Sequence, residues 1–237
     1  MTSIKSHQTP ITRELYHFPF DPHSRLARLI LAEKKLDFKD ITIRYWEDNE
    51  GFLKLNPSGQ LPVLLEIFDT NQVLKLCENR ALIEHLEEAY PETKLWPSEP
   101  QLRAEARRII GTLERRFDLE VNSYLLHEKM EKRLMSLGQP DIGLMRFGRE
   151  ALKSHLQIYD NILERSGWLV GNALSLADFA LAAQLSLHDY FDEIHWSRYN
   201  HLKIWYMAMK SRPSFRPLLN ERLAGFHPSA NYDELDF

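Results

Sequence analysis

The chain has 237 residues, of which 43% are hydrophobic and 27% charged, with a formal net charge of -4. That length allows one large domain or two small ones, and the slight acidity argues against a nucleic-acid protein, which is usually basic. The single cysteine, Cys77, excludes an internal disulfide and points to a reducing compartment. The start, MTSIKSHQTPITRE, lacks the apolar core of a signal peptide. The longest weakly charged stretch, Phe179 to Leu187, is too short to span a bilayer. A soluble, cytoplasmic protein with no membrane insertion is expected, and no repeat or low-complexity segment stands out.

The first third alternates strand and helix patterns. Glu14–Phe18 reads as a short strand, and Ser24–Lys34 as a helix with Leu26, Leu29 and Ile30 on one face. Phe38–Ile43 reads as a strand and Asp48–Leu55 as a short helix. Leu61–Ile67 and Val73–Leu76, separated by a polar break, predict a hairpin. Asn79–Ala89 then places Leu82, Ile83 and Leu86 on one helical face. The order β-α-β-α-β-β-α predicts a small mixed sheet covered by helices, opening with a right-handed parallel crossover.

The pattern changes at TKLWPSEP. Beyond it, Gln101–Ser136 is one long, bent helical pattern and Ile142–Arg165 a second. Ser175–Phe191 is apolar almost all round, which predicts a central, buried helix, and Leu202–Lys210 is a last helix. The expected organisation is an α/β domain at residues 13–92, a linker at 93–100, an all-α domain at 101–222 and a tail at 223–237.

Two motifs are sharper than the rest. In NPSGQLPVLL, residues 56–65, turn chemistry leads into a strand that opens on Leu61-Pro62, where a proline costs no ladder bond. A cis bond there would let Leu61 offer its N–H and C=O to a peptide; a plain turn is the other reading. In GNALSLADFA, Ser175 and Asp178 have capping-box spacing, with Leu174 and Phe179 as the hydrophobic staple.

These stretches, with ENRALIEHLEEAYP, resemble the cytosolic glutathione transferases over about residues 13–222. The resemblance implies a thioredoxin-like first domain, an all-helical second domain and a homodimer. It implies a glutathione site in which Leu61 and Pro62 pair with the cysteinyl part of the peptide. Glu78 and Asn79 would hold the γ-glutamyl end, and Ser24 would donate to the sulfur. The chain departs from the pattern in two places: Asn79 stands where serine is usual, and FPFDPHSR places Asp21, an anion, near the expected thiolate. Asp21 also suits a helix N-cap, and Ser24 an ordinary first-turn position. Tyr16 suits packing, and Cys77, beside Glu78, suits a small buried hydrophobe. No cofactor or metal is expected, glutathione being at most a substrate.

A narrower resemblance rests on RYWEDNEGFLKLNPSG at residues 44–59, SRPSFRPLLNERLAG at residues 211–225, and the terminal YDELDF. These stretches are similar to the glutathione transferase-like proteins of alphaproteobacterial cell division, which bind FtsZ filaments and use a C-terminal tail to engage the division machinery. On that resemblance Trp46 is a candidate FtsZ contact. Tyr232, Leu235, Asp236 and Phe237 are candidate docking anchors, although a tail folded on its own body is the alternative. Arg107, Arg108, Arg115 and Arg116 make a helical stripe that either steers an acidic partner or is neutralised locally. An active transferase conjugating glutathione to small electrophiles is the rival function.

Overall fold

Strand β1 (Thr12–His17) lies inside a four-stranded sheet of order β2-β1-β3-β4 in the computed structural model, which describes residues 12–47, 49–69 and 72–237. The chain divides into two units, one ending at Lys94 and the other running from Leu95 to Phe237.

In the first unit, helix α1 (Pro22–Glu33) returns the chain to β2 (Lys39–Thr42), which pairs parallel to β1 with Tyr16 opposite Ile41. After α2 (Glu50–Leu55), β3 (Val63–Ile67) pairs antiparallel to both β1 and β4 (Val73–Cys77). Helix α3 (Asn79–Ala89) closes the unit and packs on α1. The parallel crossover and the hairpin are those expected from the pattern. Side-chain alternation gives β3 two buried faces. Val63 and Leu65 join Ile43 and Phe52 on one side, whereas Glu66 meets α3 on the other. Glu66 is tolerated there because Arg13 and His85 reach its carboxylate at 3.0 and 2.8 Å, and the Tyr90 hydroxyl also donates to it. Burial works to raise its carboxyl, but the hydrogen bonds from His85 and Tyr90, with the Arg13 charge, outweigh it and hold it below the usual range.

The second unit is helical. Helix α4 (Pro100–Thr112) continues through π-helical turns at Leu113–Asn122, α5 (Ser123–Leu126), a second π stretch at His127–Glu131, and α6 (Lys132–Leu134). Leu113, Phe117, Val121 and Leu125 are buried at four-residue spacing. Such a row drifts round an α-helix, and the wider π turns offset the drift. The long helical pattern expected from sequence is present, with two π stretches within it.

Helix α7 (Ile142–Ser166) starts on an Asp141 cap and ends at Gly167, whose φ of 74° is left-handed. It approaches α5 closely at Gly148, where an added Cβ would lie 2.9 Å from Tyr124 and Leu125. Helix α8 (Leu176–Tyr190) is buried at every position, as expected of a central helix. Its capping box is present, and Asp178 also accepts the Leu169 N–H and the Trp205 indole. Helices α9 (Asn200–Lys210) and α10 (Arg216–Leu219) complete the unit. Part of the segment expected as a linker is built in, since Leu95 is buried and its carbonyl accepts the Leu176 N–H at 2.9 Å. Among the described residues no helix is long and apolar enough to cross a membrane.

Candidate functional site

Strand register gathers the sequence-predicted segments of the first unit at one end of its sheet. Tyr16 lies opposite Val63, and Val63 opposite Cys77. The residues just beyond these positions, Phe18, Leu61-Pro62 and Glu78–Asn79, are therefore neighbours. The Leu61-Pro62 bond is cis. Its approach is shaped by Asn56, whose amide donates to the Gln60 carbonyl at 2.8 Å and accepts from Ser58. Gly59 completes that turn with a φ of 70°. Glu78 is exposed and holds a φ of 72°, unusual for a residue with a Cβ, while Asn79 opens α3 as a buried residue. Burial pushes the Cys77 thiol up, with Lys75 opposing and Glu78 reinforcing the shift, so it is not activated. Burial, followed by a hydrogen bond to Glu14, likewise raises the Tyr16 phenol.

Ser24 is completely buried. Its hydroxyl oxygen accepts the Phe18 N–H at 3.3 Å, tying the β1–α1 loop to the helix. Asp21 is the N-cap, and its carboxylate accepts the Ser24 N–H at 2.6 Å. Asp21 thus takes the capping role open to it from sequence. Ser24 faces inward, and its hydroxyl oxygen has a structural partner in the Phe18 N–H.

Trp46 belongs to an aromatic group beside this end of the sheet. Its ring stands edge-on to Phe18 at 5.0 Å and to Tyr45 at 5.1 Å. It lines a hollow of about 350 Å³ with Tyr45, Asn49, Phe52 and Leu53. Half-buried and braced on two rings, it presents a fixed apolar edge, which suits a binding contact.

The arginine stripe lies in the second unit and is locally neutralised. Arg108 pairs with Glu105 at 2.6 Å and Arg116 with Glu120 at 2.8 Å. Arg115 donates to the Gly111 carbonyl and Arg107 covers the Trp96 ring. Glu105 and Glu120 are thus the neutralising acids, whereas Asp118 accepts from Asn122.

The tail, which continues from Gly225 at a φ of 83°, turns back on the second unit. The Ser229 N–H bonds the Tyr190 carbonyl at 2.9 Å, and Tyr232 is fully buried. Its ring meets Tyr190 edge-on and its hydroxyl donates to the Leu218 carbonyl at 3.0 Å. Tyr232 is therefore a core residue in this arrangement. The residues after it differ, for Asp233, Glu234, Leu235 and Asp236 are exposed and Phe237 is half-buried. The residues that receive Phe237 are Trp196, Lys203, Tyr206 and Lys210, and sequence reasoning missed them. The signal was the i, i+3, i+7 set of Lys203, Tyr206 and Lys210 on one face of α9.

The comparisons agree with this architecture. The family description "Glutathione S-transferase, N-terminal domain" matches residues 15–94, and "Glutathione S-transferase, C-terminal domain" matches residues 147–213. FtsZ-localized protein A of Caulobacter vibrioides is 50% identical over 96% of this chain and 99% of its own length. The solved structure of FzlA from C. crescentus superposes with a TM-score of 0.93, covering 96% of this chain and 100% of that one at 50% identity. A glutathione S-transferase from Rhodospirillum rubrum F11, 39% identical, superposes with a TM-score of 0.89 over 95% of this chain and 100% of its own. With a thioredoxin-like unit, an all-helical unit and both family domains in place, the chain belongs to the glutathione S-transferase family.

Proposed function

We propose that this chain is a cytoplasmic binding protein that associates with FtsZ filaments and regulates cell division, using the transferase fold as a scaffold. The likeness to FtsZ-localized protein A over nearly the full length of both chains carries the reading. The inward-facing Ser24, whose hydroxyl already has a backbone partner, supports it. Trp46 is the proposed FtsZ contact, because it combines a fixed aromatic edge with an adjoining hollow. Residues 233–237 are the proposed docking segment for the division machinery, Leu235, Asp236 and Phe237 reading the partner while Tyr232 holds the segment in place. The working unit is a homodimer, as in the family.

Co-sedimentation with GTP-assembled FtsZ tests the proposal. The chain pellets with filaments, and Trp46→Ala lowers the pelleted fraction. A pelleted fraction no greater than without FtsZ refutes the association. Truncation after Tyr232 spares pelleting and impairs division in cells; normal division of the truncated strain refutes the tail's role. The cut falls there because removing Tyr232 itself would open the core.

A second reading is favoured by the convergence of Leu61-Pro62 with Glu78–Asn79: glutathione binding is retained without thiol activation. Calorimetric titration with reduced glutathione tests binding, and a conjugation assay tests turnover. No heat at millimolar ligand at two temperatures refutes retained binding.

A further inference from the structure

Phe237 rests in a seat of defined chemistry. Its ring lies edge-on to Trp196 at 5.5 Å and to Tyr206 at 6.5 Å. Two ammonium groups approach the ring, Lys210 at 4.4 Å and Lys203 at 5.2 Å from its centroid. An aromatic face attracts both cations, and an aliphatic side chain would not. The floor of the seat is fixed from below. Trp196 and Tyr206 stack at 4.5 Å, and both donate to the buried Asp189 carboxylate, at 2.8 and 3.2 Å. Lys210 lies 3.8 Å from the same carboxylate and donates to the Asn231 carbonyl at 3.0 Å, which ties the seat to the tail backbone. Burial lowers the Lys210 pKa, and the carboxylates of Asp189, Asp233 and Glu234 oppose that shift. Asp233 also pairs with Arg222.

The hold on the tail is uneven. Up to Tyr232 it consists of backbone bonds and a fully buried ring. Among the described residues the last backbone bond is from the Glu234 N–H to the Asn231 carbonyl at 3.1 Å. Beyond it the contacts are those of one half-buried ring, and Leu235 is 39% exposed. A segment with few buried contacts opens at far lower cost than the core it adjoins.

We infer that Trp196, Lys203, Tyr206 and Lys210 form a binding seat for a phenylalanine ring preceded by acidic residues, that Phe237 fills it in cis, and that residues 233–237 leave it as a unit while Tyr232 stays in place. The seat stands on this geometry alone; only its use, to withhold the docking residues until a partner captures them, rests on the proposed function of the tail.

Carboxypeptidase A digestion of the native chain, followed by intact-mass spectrometry, tests the inference. Cleavage under these conditions reports the population of the released tail. Phe237 is expected to be lost at least about tenfold more slowly than from the free peptide YDELDF. Lys203→Glu removes one cation from the ring and repels the tail carboxylates. It is expected to speed the loss by about threefold or more without changing the circular dichroism. Loss at the free-peptide rate, or a Lys203→Glu rate equal to the wild type, overturns the inference. Protection that grows with protein concentration overturns the cis assignment and gives the seat to a second copy's tail. No FtsZ is present, so an unprotected tail would remove the latch while leaving co-sedimentation and division phenotypes to judge the proposed function separately.

Discussion

Replacing Tyr232 separates a core residue from a docking residue. The side chain is fully buried, edge-on to Tyr190, with its hydroxyl on the Leu218 carbonyl. Tyr232→Phe removes one hydrogen bond. The Leu218 carbonyl keeps a second donor, the Glu221 N–H at 3.2 Å, so it is not orphaned and the cost stays near the low end, about 0.5–1 kcal/mol. Tyr232→Ala also removes the ring. Large-to-small aromatic changes in a core cost about 3–5 kcal/mol, and a position close to the chain end can partly collapse, which favours about 3 kcal/mol. Deleting residues 233–237 removes one half-buried ring and exposed side chains, so it costs less than Tyr232→Ala. Urea unfolding of the full chain, followed by far-ultraviolet circular dichroism, measures all three. A Tyr232→Ala protein within about 1 kcal/mol of the wild type would refute the assignment of Tyr232 to the core.

Two further outcomes follow from the second unit. Gly148→Ala places a Cβ 2.9 Å from Tyr124 and Leu125, and the resulting separation of α5 and α7 costs about 1–3 kcal/mol in the same urea experiment; an unchanged midpoint would refute the close approach. Burial holds His188 down to about 4, well below its ordinary 6.5, with Glu193 raising and Lys129 lowering it. The folded state therefore binds fewer protons than the unfolded one between those values. The stability from neutral His188 is present above pH 6.5 and lost as the pH falls towards 4, to the extent of roughly 3 kcal/mol. Asp189, raised to about 6 mainly by its burial, acts in the opposite sense but is common to wild type and His188→Gln. Comparing the two proteins at pH 7.5 and 4.5 isolates the histidine; equal losses would refute its buried neutral state.

Periodicity made most of the fold legible. The ends of α3 and the near-total burial of α8 follow from patterns written locally in the chain, as do the β3–β4 hairpin and the Ser175–Asp178 capping box. The π turns within the long helix were not legible, because they answer to packing. Ser24 shows the limit for the site. Its place in the first turn was readable, but which way its hydroxyl points depends on the Phe18 N–H, delivered by the loop from β1. The tail shows it more strongly. Its alternation of rings and carboxylates announced a contact, yet the contact partners come from a 3-10 turn at Trp196–Arg198 and from α9, and only folding unites them.

The electrostatics at the start of α1 explain why binding and turnover separate in the second reading. A helix N-terminus carries partial positive charge, and that charge is what favours a thiolate over a thiol there. Here Asp21 already sits at that terminus, with its carboxylate on the Ser24 N–H at 2.6 Å. One anion has taken the position, and a second brought beside it meets repulsion in place of attraction. The Ser24 hydroxyl is buried, and its oxygen already accepts the Phe18 N–H. Under that reading Leu61-Pro62 and Glu78–Asn79 meet no such conflict, since the peptide contacts the family implies there involve backbone groups and the far end of the ligand. Under that reading the peptide is held with its sulfur protonated. The proposed separation of binding from turnover therefore rests on Asp21 at the helix start, and the proposed partner contacts rest on the aromatic edge at Trp46 and on the last residues.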